Sequence, residues 1–234
     1  MLVTGATRGI GAAIADAFDQ RGCAVGRVAR TGELAGDVAD RESIAAAVER
    51  FGAVDVCVAN AGIAHYLPFT EMPVEMIEQL TQVNWLGTVY TVKAVLPGML
   101  ERGRGHIVIV SSGAGIRSFP GAAAYGATKS AQRGFGEALR HELKGTGVGL
   151  TIVYPGQVKS HLHAHEKERM PDWYDLDGAA PAEPLGKAVV EAVEHDKRDV
   201  FYPSNVRMLR IAHGLRPGLA DAMLRRIMHR SAAP

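Results

Sequence analysis

The sequence predicts an α/β fold in which a doubly wound parallel sheet carries helices on both faces, making three layers. Three observations predict it. Short apolar runs alternate with helical patterns along the chain. Several of those runs are continuously hydrophobic, as strands covered on both faces are. The length, 234 residues with 47% hydrophobic and 22% charged side chains, suits one such domain and leaves no room for a second full one.

Each element has its own signal. The first strand is read at Leu2-Val3; it is short on its N-terminal side, so the native chain is expected to start upstream. A helix over 10–20 places Ile14 and Phe18 four apart, and the second strand follows at 24–29. Only six residues, 31–36, then separate that strand from Asp37. A crossover with its own helix needs at least ~10–12 residues. This connection is therefore expected to hold no helix, and the third strand to be stunted. Asp40 caps a helix with Ile44, Val48 and Phe51 on one face, ended by Gly52. A strand at 54–59 precedes a long helix opened by Pro73 and running to about 98. The pattern continues with a strand at 107–110, a helix over 124–144 and a strand at 150–154. Pro184 opens a helix to about 195, and the last strand lies at 200–202.

Two segments break the pattern. Residues 159–183 lack apolar periodicity and carry His161, His163, His165, Pro171, Gly178 and Pro181; a loop this long reads as a substrate lid. Its histidines are read as polar loop residues rather than a metal site, while Trp173, Tyr174 and Leu176 form either an apolar wall over a substrate or a pad on the next helix. The catalytic and nucleotide-binding domain is thus placed at 1–204. The tail, 205–234, pairs six arginines and the single acid Asp221 with Leu219, Met223 and Ile227 at helical spacing. It carries +5 within a chain of formal charge +1 and reads as a basic amphipathic helix packed on the same domain.

Composition excludes several functions. A net charge of +1 does not suit a general nucleic-acid binder. No apolar run reaches the ~18 residues of a membrane span, although the basic tail is suited to weak contact with anionic lipid. Cys23 and Cys57 lie in apolar runs and read as buried thiols of a reducing compartment. With no leader at the N-terminus, a cytoplasmic protein is expected.

Two constellations carry chemistry. Thr4-Gly5-Ala6-Thr7-Arg8-Gly9-Ile10-Gly11 joins the first strand to the first helix. Small residues there let the backbone approach a pyrophosphate, and the helix N-terminus offers free N–H groups to it. Further on, Tyr125 and Lys129 are four apart and point off one helix face. A free phenol has a pKa of about 10. A cation one turn away is expected to lower it, giving an acid–base near neutral pH. Ser112 lies just past a strand end, where open α/β sheets bind ligands, and Asn84 is an amide inside a long helix.

Together these motifs resemble the short-chain dehydrogenase/reductase family. The resemblance runs from Leu2 to about Tyr202 and rests on Thr4-Gly5-x-x-x-Gly9-Ile10-Gly11, Asp37-Val38, Asn60-Ala61-Gly62, Asn84, Ser112, Tyr125-x-x-x-Lys129 and Pro155-Gly156-x-Val158. It implies a Rossmann-like sheet and hydride transfer between a nicotinamide cofactor and a carbonyl or secondary alcohol. By resemblance Tyr125 is the general acid or base, Lys129 assists it and holds the nicotinamide ribose, Ser112 orients the substrate oxygen, and Asn84 holds a relay water. Asp37 resembles the residue at the adenine, Asn60-Ala61-Gly62 a segment beside the cofactor, and Pro155, Gly156 and Val158 the segment passing the nicotinamide. Ser160 stands where a threonine often contacts the carboxamide or diphosphate. Dimers or tetramers are common in the family, and a homo-oligomer is expected.

The second strand ends in alanine, followed by Arg30 and Thr31, with no acid at its tip. An acid there suits a 2′-hydroxyl and arginine a 2′-phosphate, so NADP(H) is expected over NAD(H), with Arg8 as a second cation. An NAD-preferring alcohol dehydrogenase and a catalytically idle cofactor-binding scaffold are the rival readings.

Overall fold

The computed structural model describes residues 1–160, 162, 163, 166, 169, 170, 178–218, 221 and 222. His161, His165, Trp173, Tyr174, Leu176, Leu219, Met223 and Ile227, singled out above, lie outside these residues.

Seven parallel strands form one sheet in the order β3-β2-β1-β4-β5-β6-β7. They are β1 (Leu2–Thr4), β2 (Gly26–Ala29), β3 (Leu34–Ala35), β4 (Val56–Ala59), β5 (Gly105–Val110), β6 (Val148–Pro155) and β7 (Asp199–Tyr202). The helices are α1 (Gly9–Asp19), α2 (Arg41–Phe51), α3 (Val74–Leu80), α4 (Gly87–Glu101), α5 (Ala123–Glu142), α6 (Glu183–Glu194) and α7 (Asn205–Leu215). As the short connection predicts, no helix joins β2 to β3, and β3 has two residues.

Period-two alternation in the strands builds two cores. Leu2, Ile107, Ile109 and Ile152 pack on one face with Ile44, Val92 and Met99. Val3, Val108, Val110 and Val153 point the other way, to Ile14, Phe18, Leu185 and Val189. Every central strand is thus buried on both sides, which accounts for its continuous apolar sequence. Cys57 is in this interior; Cys23 is half-buried and precedes β2 rather than lying within it.

Two expectations are corrected. The helix opened by Pro73 is unbroken but not α-helical throughout: residues Thr81–Leu86 form a π-helical turn between α3 and α4, and α4 runs on to Glu101. The segment after β6 is not wholly irregular at its stems, because Val158 bridges Ala180 and the Lys159 N–H donates to the Ala180 carbonyl at 2.8 Å. Among the described residues, no helix is long and apolar enough to cross a membrane.

Candidate active site

From β1 the chain winds outward through β2 and β3, then returns to β4 on the other side of β1. The two windings part at the C-terminal ends of β1 and β4, where open α/β sheets bind ligands. A cleft of about 2190 Å³ opens there.

The glycine-rich turn forms one wall. Gly5 and Gly9 have φ of 66° and 59°, a region costly for other residues. A β-carbon on Gly11 would lie 2.3 Å from the Gly5 carbonyl oxygen, so α1 can meet β1 this closely only with glycine there. Asn60 braces the turn: its Nδ2 donates to the Thr4 and Gly5 carbonyls at 2.9 and 3.2 Å, while Thr4 Oγ1 accepts from the Asn60 and Ala61 N–H groups. Arg8, at the N-cap of α1, is extended and gives no side-chain cap. The first N–H groups of α1 therefore keep their donors for an anion.

The opposite wall carries the proton-transfer groups. Ser112 leaves β5 and caps the short turn 113–115, its Oγ accepting from the Ala114 N–H at 3.1 Å. Tyr125 and Lys129 project from the first half of α5, 4% and 3% exposed. Lys129 Nζ donates to the Val110 carbonyl at 3.1 Å and stands 5.9 Å from the centroid of the Tyr125 ring. Burial pushes the Tyr125 phenol up to about 12, opposed by a hydrogen bond with Ser112. Burial likewise pulls Lys129 down to about 7. The expectation of a phenol made acidic by its lysine is therefore corrected: desolvation disfavours the charged form of both groups, and the hydrogen bond that opposes it at the phenol comes from Ser112.

Asn84 lies behind this wall, fully buried in the π-helical turn. Its Oδ1 accepts from the Ile63 N–H at 2.8 Å, and its Nδ2 donates to the Ile63 carbonyl and to Thr128 Oγ1 at 3.0 and 3.1 Å. A β-carbon on Gly62 would lie 3.1 Å from Asn84 Oδ1 and 3.5 Å from Lys129 Nζ, so glycine lets both groups approach the chain closely there.

The cleft brings together nearly all the predicted residues. Gly5, Thr7, Arg8, Gly9, Ile10 and Gly11 line it, as do Arg30, Thr31, Asp37, Val38, Asn60, Ala61 and Gly62. Ser112, Tyr125, Lys129, Pro155, Gly156, Val158 and Ser160 complete the set, and only Asn84 stands outside the lining. Asp37 Oδ1 is already bonded to the Ala39 N–H at 2.9 Å, and Arg30 is exposed at the tip of β2.

Other residues in the cleft or behind its wall escaped the sequence reading. Tyr66 stands edge-on to Tyr125, with ring centroids 5.8 Å apart, and its hydroxyl bonds His163 Nδ1 at 2.9 Å. His163, read as a polar loop residue, is therefore buried against Tyr66. The buried Glu166 carboxylate binds His65 Nδ1 at 2.8 Å and the Tyr66 N–H at 3.3 Å; although burial opposes it, these bonds and Arg169 hold its pKa below the usual value. Arg117 lines the far end of the cleft and contacts His213 of α7 and Asp221. The pairings of His65 and Tyr66 with His163 and Glu166, and of Arg117 with His213 and Asp221, join residues about a hundred positions apart, and no local pattern announces them. Gln132 alone left a signal, an amide seven residues after Tyr125 on the same helix face.

A profile of the short chain dehydrogenase family matches residues 1–171, well over half of the chain. The chain belongs to the short-chain dehydrogenase/reductase family. This short-chain dehydrogenase/reductase is 40% identical over 178 residues to an NADP-dependent 3-hydroxy acid dehydrogenase of Escherichia coli, covering 68% of this chain and 72% of that protein. Among solved structures it is similar to a closed serine dehydrogenase complexed with NADP+ (TM-score 0.77, 32% identity, 86% and 92% of the two chains). It is also similar to a 3-oxoacyl-[acyl-carrier protein] reductase of Brucella melitensis with bound NAD (TM-score 0.73, 29% identity, 86% and 88%). The family's fold and its oxidoreductase class therefore hold for this chain.

Proposed function

We propose that this short-chain dehydrogenase/reductase transfers hydride between NADP(H) and a carbonyl or secondary-alcohol carbon, with Tyr125 as the proton donor and acceptor at the substrate oxygen. The observation that carries the reading is the meeting of Tyr125, Ser112 and Lys129 at one edge of a cleft whose other edge is a glycine-rich helix N-terminus. The site fits a dinucleotide: the uncapped α1 takes the pyrophosphate, the 37–38 turn the adenine, and Pro155, Gly156, Val158 and Ser160 the nicotinamide end.

When bound, the nicotinamide ring supplies or accepts the hydride. The chain supplies geometry and one proton. At neutral pH a phenol at about 12 is protonated, so Tyr125 Oη holds the proton that a reduced carbonyl oxygen requires. Ser112 hydrogen-bonds the phenol and offers a second polar contact to the same substrate oxygen. Lys129, buried beside the phenol and titrating near 7, exchanges a proton at working pH. Asn84 Oδ1 and Lys129 Nζ both lie close to Gly62, and a water held between these two groups would restore that proton. Arg30, at a β2 tip without an acid, favours a 2′-phosphate, supporting NADP(H) over NAD(H).

The test is Tyr125→Phe, which keeps the ring and removes the proton. NADPH consumption against a panel of ketones should fall by at least ~100-fold while NADPH binding persists. Undiminished turnover by the variant would overturn the assignment.

A further inference from the structure

Gln132 has no direct place in that reaction, yet it is fully buried on the α5 face that carries Tyr125 and Lys129. Its Nε2 donates to the Asn84 backbone carbonyl at 2.9 Å and to Thr88 Oγ1 at 2.7 Å. Thr88 Oγ1 in turn donates to that same Asn84 carbonyl at 2.8 Å. This triangle fixes the amide's orientation. A turned amide would set its oxygen 2.9 Å from the Asn84 carbonyl, which can only accept, whereas the Thr88 hydroxyl can turn to suit either end. The cost appears at the other end, where Gln132 Oε1 is buried with no partner among the described residues. An aliphatic side chain would escape that cost. Moreover, the Asn84 carbonyl already has a donor in Thr88, so satisfying that carbonyl does not require Gln132.

What the amide adds is a strut. It ties α5 to the backbone of Asn84 within a π-helical turn, a geometry rare enough to need support. We propose that Gln132 is a positioning residue for the proton relay, holding Asn84 at a fixed distance from Lys129. One helix then carries the phenol, the ammonium and the brace that sets the asparagine against Ile63 and Gly62. The proposal rests on the reaction assigned above, but its structural half can be read without turnover.

The experiment uses Gln132→Met, of similar length and without a donor, with Gln132→Leu as a second form should the first fold poorly. The Ile63 N–H, bonded to Asn84 Oδ1, is followed by hydrogen exchange in the cofactor-free protein. Its exchange should quicken by about tenfold while global exchange and melting temperature hold or rise. With NADPH and a turned-over ketone, kcat should fall by about tenfold at unchanged KM for NADPH, with a displaced pH profile. Wild-type exchange at Ile63, or a wild-type kcat–pH profile, overturns the proposal. Tyr125→Phe in the same assay separates the two failures: turnover surviving in that variant removes the assigned reaction, and the Ile63 result still decides whether Gln132 positions Asn84.

Discussion

Lys129 buries an ammonium where its proton is held only weakly, and this has a measurable signature. Its pKa is drawn from the usual 10.5 to about 7 by burial. Below about 7 the folded and unfolded chains both hold the proton, so the full penalty of burying the charge is present. Between 7 and 10.5 the unfolded chain binds more proton than the folded one, so this group's contribution to stability rises with pH. Tyr125 acts oppositely above its usual 10.0, because the unfolded phenol ionises first. Lys129→Met should therefore raise the urea midpoint over wild type most at pH 6.5, with the gain shrinking by pH 9.5; a gain independent of pH would contradict the buried cation. Tyr125, Lys129 and Ser112 were legible because their spacing is local and lies beside a strand end. The size of the burial around them was not, since it depends on Tyr66, Phe119 and His163 folding in from elsewhere.

Among the elements, α2 shows how a local signal fixes a wall of the cleft. Asp40 Oδ1 accepts from the Glu42 and Ser43 N–H groups at 2.9 and 3.2 Å, and Ser43 Oγ reaches back to the Asp37 N–H at 3.0 Å. The cap thus starts the helix and also shapes the 37–38 turn that lines the cleft. Asp40→Ala should cost about 1 kcal/mol, read as a lower urea midpoint, and should weaken NADPH binding more than a remote surface substitution does. Cap, glycine stop and apolar face were all readable in sequence for this helix. The π-helical turn at Thr81–Leu86 was not: it shifts the hydrogen-bond register without disturbing the apolar pattern, and an expectation built on a 3.6 period runs straight through it.

For the whole molecule, the parallel sheet, its layering and its stunted third strand followed from alternation and connection length. What alternation could not convey is how the far end of the cleft is built, which depends on Arg117, Glu166 and His163 meeting distant partners. Ligand binding reports on the assembled cleft, since a ligand at 100 times its Kd stabilises by about 2.7 kcal/mol. NADPH should raise the melting temperature more than NADH at equal concentration, and Arg30→Ala should narrow that gap by diminishing the NADPH shift. Equal shifts in the wild type would assign the adenosine end to both cofactors alike. The truncated β3 has a consequence of another kind. An outermost strand of two residues, whose Ala35 carbonyl is already engaged by the Arg50 guanidinium, presents almost no free backbone for a neighbouring polypeptide to extend. The short connection that stunts this margin thereby also guards it against self-templated polymerisation.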